Sequence, residues 1–118
     1  MLNSYKDLIV WQKSFELAKE IFQLTGQFPR SELYGLTDQI KRAAVSIPSN
    51  IAEGFARRSR KEYSQFIAIA FGSGAELETQ ILLAKDLKLV NEEKFEKSLR
   101  LLDEIMRMLN VLIRRLKE

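Results

Sequence analysis

Leu8, Trp11, Phe15, Ala18 and Phe22 recur at alternating steps of three and four, and Leu17, Ile21, Leu24 and Phe28 form a second line beside them. Such steps keep side chains on one side of a 3.6-residue repeat, so this segment is expected to be a helix with a wide apolar face. Gly26 and Pro29 stop it. Leu33, Leu36, Ile40, Ala43, Ile47 and Ile51 then resume the rhythm, which predicts a second helix beginning between Ser31 and Thr37. Ser59 followed by Glu62 predicts a capping box opening a third helix, and Asn91 ahead of "EEKFEKSL" an N-cap for a fourth. Phe95, Leu99, Leu102, Ile105 or Met106, Leu109, Ile113 and Leu116 carry the spacing to the C-terminus. No stretch alternates with period two. The pattern therefore predicts an all-α fold, an antiparallel up-and-down four-helix bundle forming one domain over residues 1–118.

Two segments depart from simple amphipathicity. In "KRAAVSIPSNIAEGFARRSRKE" the residues Gln39, Arg42, Ser46, Asn50 and Glu53 fall along one stripe if the second helix continues through Pro48. That stripe lies beside the apolar line and not opposite it, so it is expected to flank the core, with Asn50 and Glu53 bonding across helices or subunits. Pro48 removes one helical hydrogen bond and crowds the carbonyl of Ala44, so a kink is expected there. The other reading of "SIPSN" is a helix end followed by a new turn, because proline disfavours helix at the preceding residue. A catalytic loop has little support: Ser46 and Ser49 have no histidine to activate them, which leaves Lys41 to act as base.

The third helix is apolar on most sides. Phe66, Ala70, Leu77, Ile81 and Ala84 make its core face, while Ala68, Phe71, Ala75 and Leu82 make a second line more than a quarter turn away. That second line is expected to be an oligomer interface, since a four-helix monomer leaves one side of each helix in water. Gly72, Ser73 and Gly74 sit mid-helix, where each glycine costs about 1 kcal/mol relative to alanine. Close packing against Ala43, Ala44 and Ser46 would compensate.

Composition narrows the chemistry. With 118 residues, no cysteine and no histidine, the chain lacks thiolate ligands, the usual general base and the usual zinc ligand. Neither a metal nor a cofactor is expected, and enzymatic activity is not expected. Glu53, Glu76 and Glu78 are read as salt-bridge partners. No apolar run is seen to approach the roughly 20 residues that cross a bilayer, and no signal-peptide layout opens the chain, so a soluble cytoplasmic protein without membrane contact is expected.

The strings "LIVWQKSFELAKEIFQLT", "FPRSELYGLTDQIKRAAVSIPSNIAEGFAR" and "SRKEYSQFIAIAFGSGAELETQI" resemble the four-helix-bundle proteins encoded by intervening sequences in bacterial 23S ribosomal RNA genes. The most specific block is Gln39, Arg42, Ala44, Ser46, Ile47, Asn50, Ile51, Ala52, Glu53 and Gly54, with Ser73, Glu76 and Glu78 downstream. Lys41 and Arg42 match the usual basic pair; Gly74 stands where a larger residue is expected. The resemblance implies an up-and-down bundle assembled as a ring, commonly a homopentamer, with no established enzymatic activity. A more distant similarity, to the basic accessory protein of diversity-generating retroelements, implies nucleic-acid binding.

Charge supports that last implication in part. Arg57, Arg58, Arg60 and Lys61 crowd the junction between the second and third helices, and the latter two stand at a helix N-terminus, where positive charge is unfavourable. An anionic partner would reverse that penalty. With Lys41 and Arg42 they form the candidate surface for RNA or DNA; Arg114, Arg115 and Lys117 are accounted for by the end of the fourth helix. The formal net charge is only +3. Two readings follow: a ring-forming bundle whose repeated cluster makes a basic rim for nucleic acid, or a module recruiting a protein through a groove around Trp11 and Tyr5.

Overall fold

The computed structural model describes residues 2–118, with the backbone only at 33 and 34. Among these residues there are four long helices and no strand: α1 (Ile9–Thr25), α2 (Asp38–Phe55), α3 (Arg60–Asp86) and α4 (Glu96–Lys117). Each packs on its neighbour in sequence, and α1 closes the bundle against α4. Lys13 meets Glu104 and Glu20 meets Lys97, so α4 recedes as α1 advances. Arg60 meets Arg115 and Gly74 faces Met106, which gives α3 and α4 the same opposed sense.

The core follows the three-four rhythm. Leu17, Ile21, Ile40, Ile47, Ile51, Leu77, Ile81, Leu102, Ile105 and Leu109 are fully buried. Of the two apolar lines on α1, the one through Leu17, Ile21, Leu24 and Phe28 enters the core, whereas Phe15 and Phe22 stay exposed beside α2. On α3, Ile67 is fully buried and Phe66 only partly, a shift of one position from the expected core line. Leu33, expected on the apolar face of α2, lies outside the described side chains.

The helix boundaries carry their own chemistry. A 3-10 turn (Tyr5–Asp7) closed by a Ser4/Asp7 capping box leads into α1. Between α1 and α2, a single wide turn over Leu33–Thr37 departs from helical geometry at Gly35 (φ −113°, ψ −107°), so α2 proper starts only at Asp38. Helix α2 then runs uninterrupted through the buried Pro48, which excludes the reading of "SIPSN" as a helix end. Ser59 caps α3 by accepting from the Glu62 amide (3.1 Å), while the Glu62 carboxylate meets the Ser59 hydroxyl. Helix α3 ends in a Schellman turn, with Lys88 in the left-handed region (φ 56°) and the Leu89 amide donating to Ala84 O. Asn91 precedes a 3-10 turn (Glu92–Phe95) and its side chain caps nothing, so α4 begins later than the sequence suggests.

The membrane expectation needs one correction. By length and composition α3 is long and apolar enough to span a bilayer, and 39% of its most apolar 18-residue window is buried inside the bundle. The apolar residues left over are the anomaly of this fold.

Candidate nucleic-acid interface

The short α2–α3 connection holds Arg57, Arg58, Arg60 and Lys61 at one end of the bundle. Arg57 is the anchored member. Its guanidinium lies 4.7 Å from the Phe66 ring and 3.7 Å from both the Glu53 and the Glu62 carboxylates. Arg60 reaches across to α4 and donates from Nη2 to the Arg115 carbonyl oxygen at 2.7 Å. That oxygen also accepts from the Glu118 amide at 3.2 Å, so the guanidinium adds a second, charged donor at the α4 C-terminus. The charge of Arg60, unfavourable for α3, is thereby favourable for α4.

The same bond brings the two basic runs to one end of the bundle. Arg114, Arg115 and Lys117 share one end with Arg57–Lys61, and Lys6 arrives there with the start of α1. Residues 2–8, 53–62 and 107–118 contain nine Lys or Arg against four Asp or Glu, an excess of five where the whole chain carries +3. The rest of the molecule is therefore slightly acidic, and the modest net charge conceals a polar distribution. Arg58, Lys61, Arg114 and Lys117 are exposed and pair with no carboxylate among the described residues.

Lys41 and Arg42 do not join this group. They lie about 24 Å further along α2, at 1.5 Å per residue. Lys41 Nζ sits 5.0 Å from the Phe22 ring centroid, and Arg42 pairs with Asp38 at 3.0 Å. Lys41, Arg42, Arg57 and Arg58 all lie on α2 or just past its end, but only contacts between helices decide which of them gather with Arg60 and Arg115.

The polar stripe divides into two. Ser46 and Asn50 are half-buried: the Ser46 and Ser73 hydroxyls lie 2.7 Å apart, joining α2 to α3, and Asn50 Nδ2 donates to Ser46 O (2.7 Å) and Oγ (2.9 Å). Gln39, Arg42 and Glu53 are exposed, and Glu53 bonds along its own helix to Arg57 rather than across to another. Glu76 and Glu78 form no ion pair among the described residues, contrary to the salt-bridge reading, and no group of acidic residues there is arranged to hold a metal.

The mid-helix small residues of α3 point three ways. Ser73 faces α2. Gly74 faces α4, where a Cβ would meet the Met106 sulfur. Gly72 faces outward with nothing within 4 Å. Helices α2 and α3 also approach closely at Gly54, whose added Cβ would sit 2.8 Å from Phe66 Cβ, a position that spacing alone does not single out for packing. Of the expected interface residues, Ala68, Ala75 and Leu82 are exposed, whereas Phe71 is half-buried and packs against the core.

No curated protein sequence matches the chain. Its fold is similar to the crystal structure of a protein of unknown function from the S23 ribosomal protein family of Bacteroides thetaiotaomicron VPI-5482. The two are 26% identical and superpose with a TM-score of 0.83 over 89% of this chain and 98% of that one. Residues 6–111 match the model of the 23S rRNA-intervening sequence proteins, and the chain belongs to that family.

Proposed function

We propose that this protein is a non-catalytic, self-associating bundle, one domain in extent, that binds structured RNA or DNA in the cytoplasm through its basic end. The observation that carries this reading is the meeting of two basic runs, distant in sequence, around the Arg60–Arg115 contact. Four cations there lack carboxylate partners among the described residues, and phosphates would supply them. No aromatic side chain is interleaved in either run, so backbone contact and not base stacking accounts for the affinity. Assembly into a ring, five subunits by family resemblance, repeats the basic end in each subunit and multiplies its field. The exposed apolar outer face of α3 favours such assembly.

The test is a mobility shift of a structured RNA and a DNA duplex across a salt series. Each neutralised phosphate contributes roughly 0.7 to 0.9 to the log-log slope. Replacing Arg58, Lys61, Arg114 and Lys117 by glutamine is expected to lower that slope by about 3 per bound subunit. Arg60 is left intact because it joins α3 to α4. Absence of binding by the unaltered protein at low salt would replace this reading with a protein-recruiting one.

A further inference from the structure

Two of the apolar surfaces left open to water among the described residues complement each other. One is the groove between α1 and α2. Tyr5, Trp11 and Phe15 form an aromatic ladder along it, with ring centroids 5.2 and 5.0 Å apart. A hollow of about 290 Å³ opens between Trp11, Phe15 and the α2 residues Val45, Pro48 and Ala52, and a second hollow lies beyond Val45 at Phe22. The other surface is the outer face of α3, where Ala68, Gly72 and Ala75 make a strip without bulk, bordered by the exposed Ile69, Leu82 and Leu83.

The two surfaces match in three respects. Both are apolar, although each faces water. Their relief is opposite, because the groove is rimmed by large rings whereas the α3 strip lacks any side chain larger than methyl over two turns. Their charges are also opposite. Lys19 and Lys41 lie over the Phe15 and Phe22 rings and pair with no carboxylate among the described residues. Between Glu62 and Lys85 the only charges on α3 are Glu76 and Glu78, and neither forms an ion pair among the described residues. Gly72 adds weight: an outward helical glycine with open space around it gains nothing within its own chain.

We infer that the α1–α2 groove receives the outer face of α3 from a second copy of this chain, with Glu76 and Glu78 directed to Lys19 and Lys41. The inference rests on the self-association proposed above and specifies its geometry. Different surfaces meet, so the contact is head-to-tail, and each subunit keeps one free surface of each kind until the assembly closes into a ring or extends as a filament. An α3-to-α3 contact would be two-fold and would bring the unpaired glutamates of both copies together.

The absence of native cysteine allows a direct test. Val45→Cys and Ala75→Cys are made separately, co-expressed, and treated with a short bismaleimide, which tolerates a small error in register. Covalent dimer is expected from the mixed assembly and from neither variant alone, and a chain carrying both substitutions is expected to give a ladder of multimers. Dimer from Ala75→Cys alone would overturn the inference in favour of α3-to-α3 pairing. An oligomer by sedimentation that gives no cross-link in any combination would overturn it while sparing self-association. A monomer by sedimentation would overturn both. As a second measurement, Lys19→Glu with Lys41→Glu is expected to weaken assembly at least tenfold, with recovery when Glu76→Lys and Glu78→Lys are added. Failure of that recovery would remove the charge pairing assigned to this interface.

Discussion

Helices α3 and α4 lie side by side on one core, yet their outer faces are opposites. Glu96, Lys97, Arg100, Asp103, Glu104 and Arg107 cover α4 with charge, and Val111 is its large exposed apolar side chain among the described residues. Helix α3 exposes Ile69, Leu82 and Leu83 around a strip of alanine and glycine. Both helices show the core period, but only α4 also shows where water lies. Helix α4 is thus specified to end at solvent, whereas α3 carries only Glu76 and Glu78 as charges between Glu62 and Lys85, which fits a helix covered again on assembly by a surface that pairs them.

The largest expected effect breaks this contrast directly. Ile69→Glu with Ala75→Arg places charge on the α3 strip and is expected to dissociate the assembly at micromolar concentration by sedimentation velocity, with the helical circular dichroism unchanged. Arg100→Ala with Arg107→Ala on α4 is expected to leave sedimentation unchanged. Equal sedimentation of both variants with the parent would remove the distinction between the two faces. Phe71→Glu is a poorer probe, because Phe71 packs against the core and its loss would disturb the fold itself.

A smaller effect separates the inner and outer sides of α3 by the glycines that touch each. Gly54→Ala drives a Cβ to 2.8 Å from Phe66 Cβ, an atom fixed to the α3 backbone, so the helices must part; overpacking of this kind costs about 1 to 3 kcal/mol. Gly72→Ala meets only open space and relieves the backbone entropy of a mid-helix glycine, a gain of about 0.5 to 1 kcal/mol. Denaturant melts at a dilution where the chain is monomeric are expected to move the two variants in opposite directions. At concentrations where the chain assembles, the added Gly72→Ala methyl is expected to cancel that gain, because the α3 strip is then covered.

These examples show which features were legible in the sequence. The number and type of helices follow from spacing, because apolar steps of three and four cannot be satisfied by a strand. Which apolar line enters the core does not follow: the Leu17–Ile21–Leu24 line and the Trp11–Phe15–Phe22 line on α1 are equally periodic, and only packing against α2 and α4 distinguishes them. The basic site was half legible for the same reason. Arg57–Lys61 is contiguous and visible, whereas the arrival of Arg114–Lys117 depends on the opposed directions of α3 and α4 and on the Arg60–Arg115 bond. Charge patterning also grouped Lys41 and Arg42 with that cluster, whereas helical distance sets them about 24 Å away along α2.

The smallest prediction uses Tyr63, at the start of α3, to ask whether the inner seam is dry where the neighbouring end of α4 is wet. Tyr63 is half-buried beside Gly54, with its ring edge-on to Phe55 at 6.1 Å, and burial pushes its phenol above the usual tyrosine value of 10.0. Removal from water disfavours the phenolate in the folded chain. The unfolded chain therefore ionises first as pH rises. The stabilising contribution is fully present below pH 10 and is lost as the pH climbs from there through the folded-state value. Thermal melts are expected to show an extra fall in stability above pH 10 that Tyr63→Phe abolishes. Identical pH profiles for parent and Tyr63→Phe would mean that the hydroxyl is hydrated, and that water reaches the α2–α3 seam as freely as it reaches the α4 end.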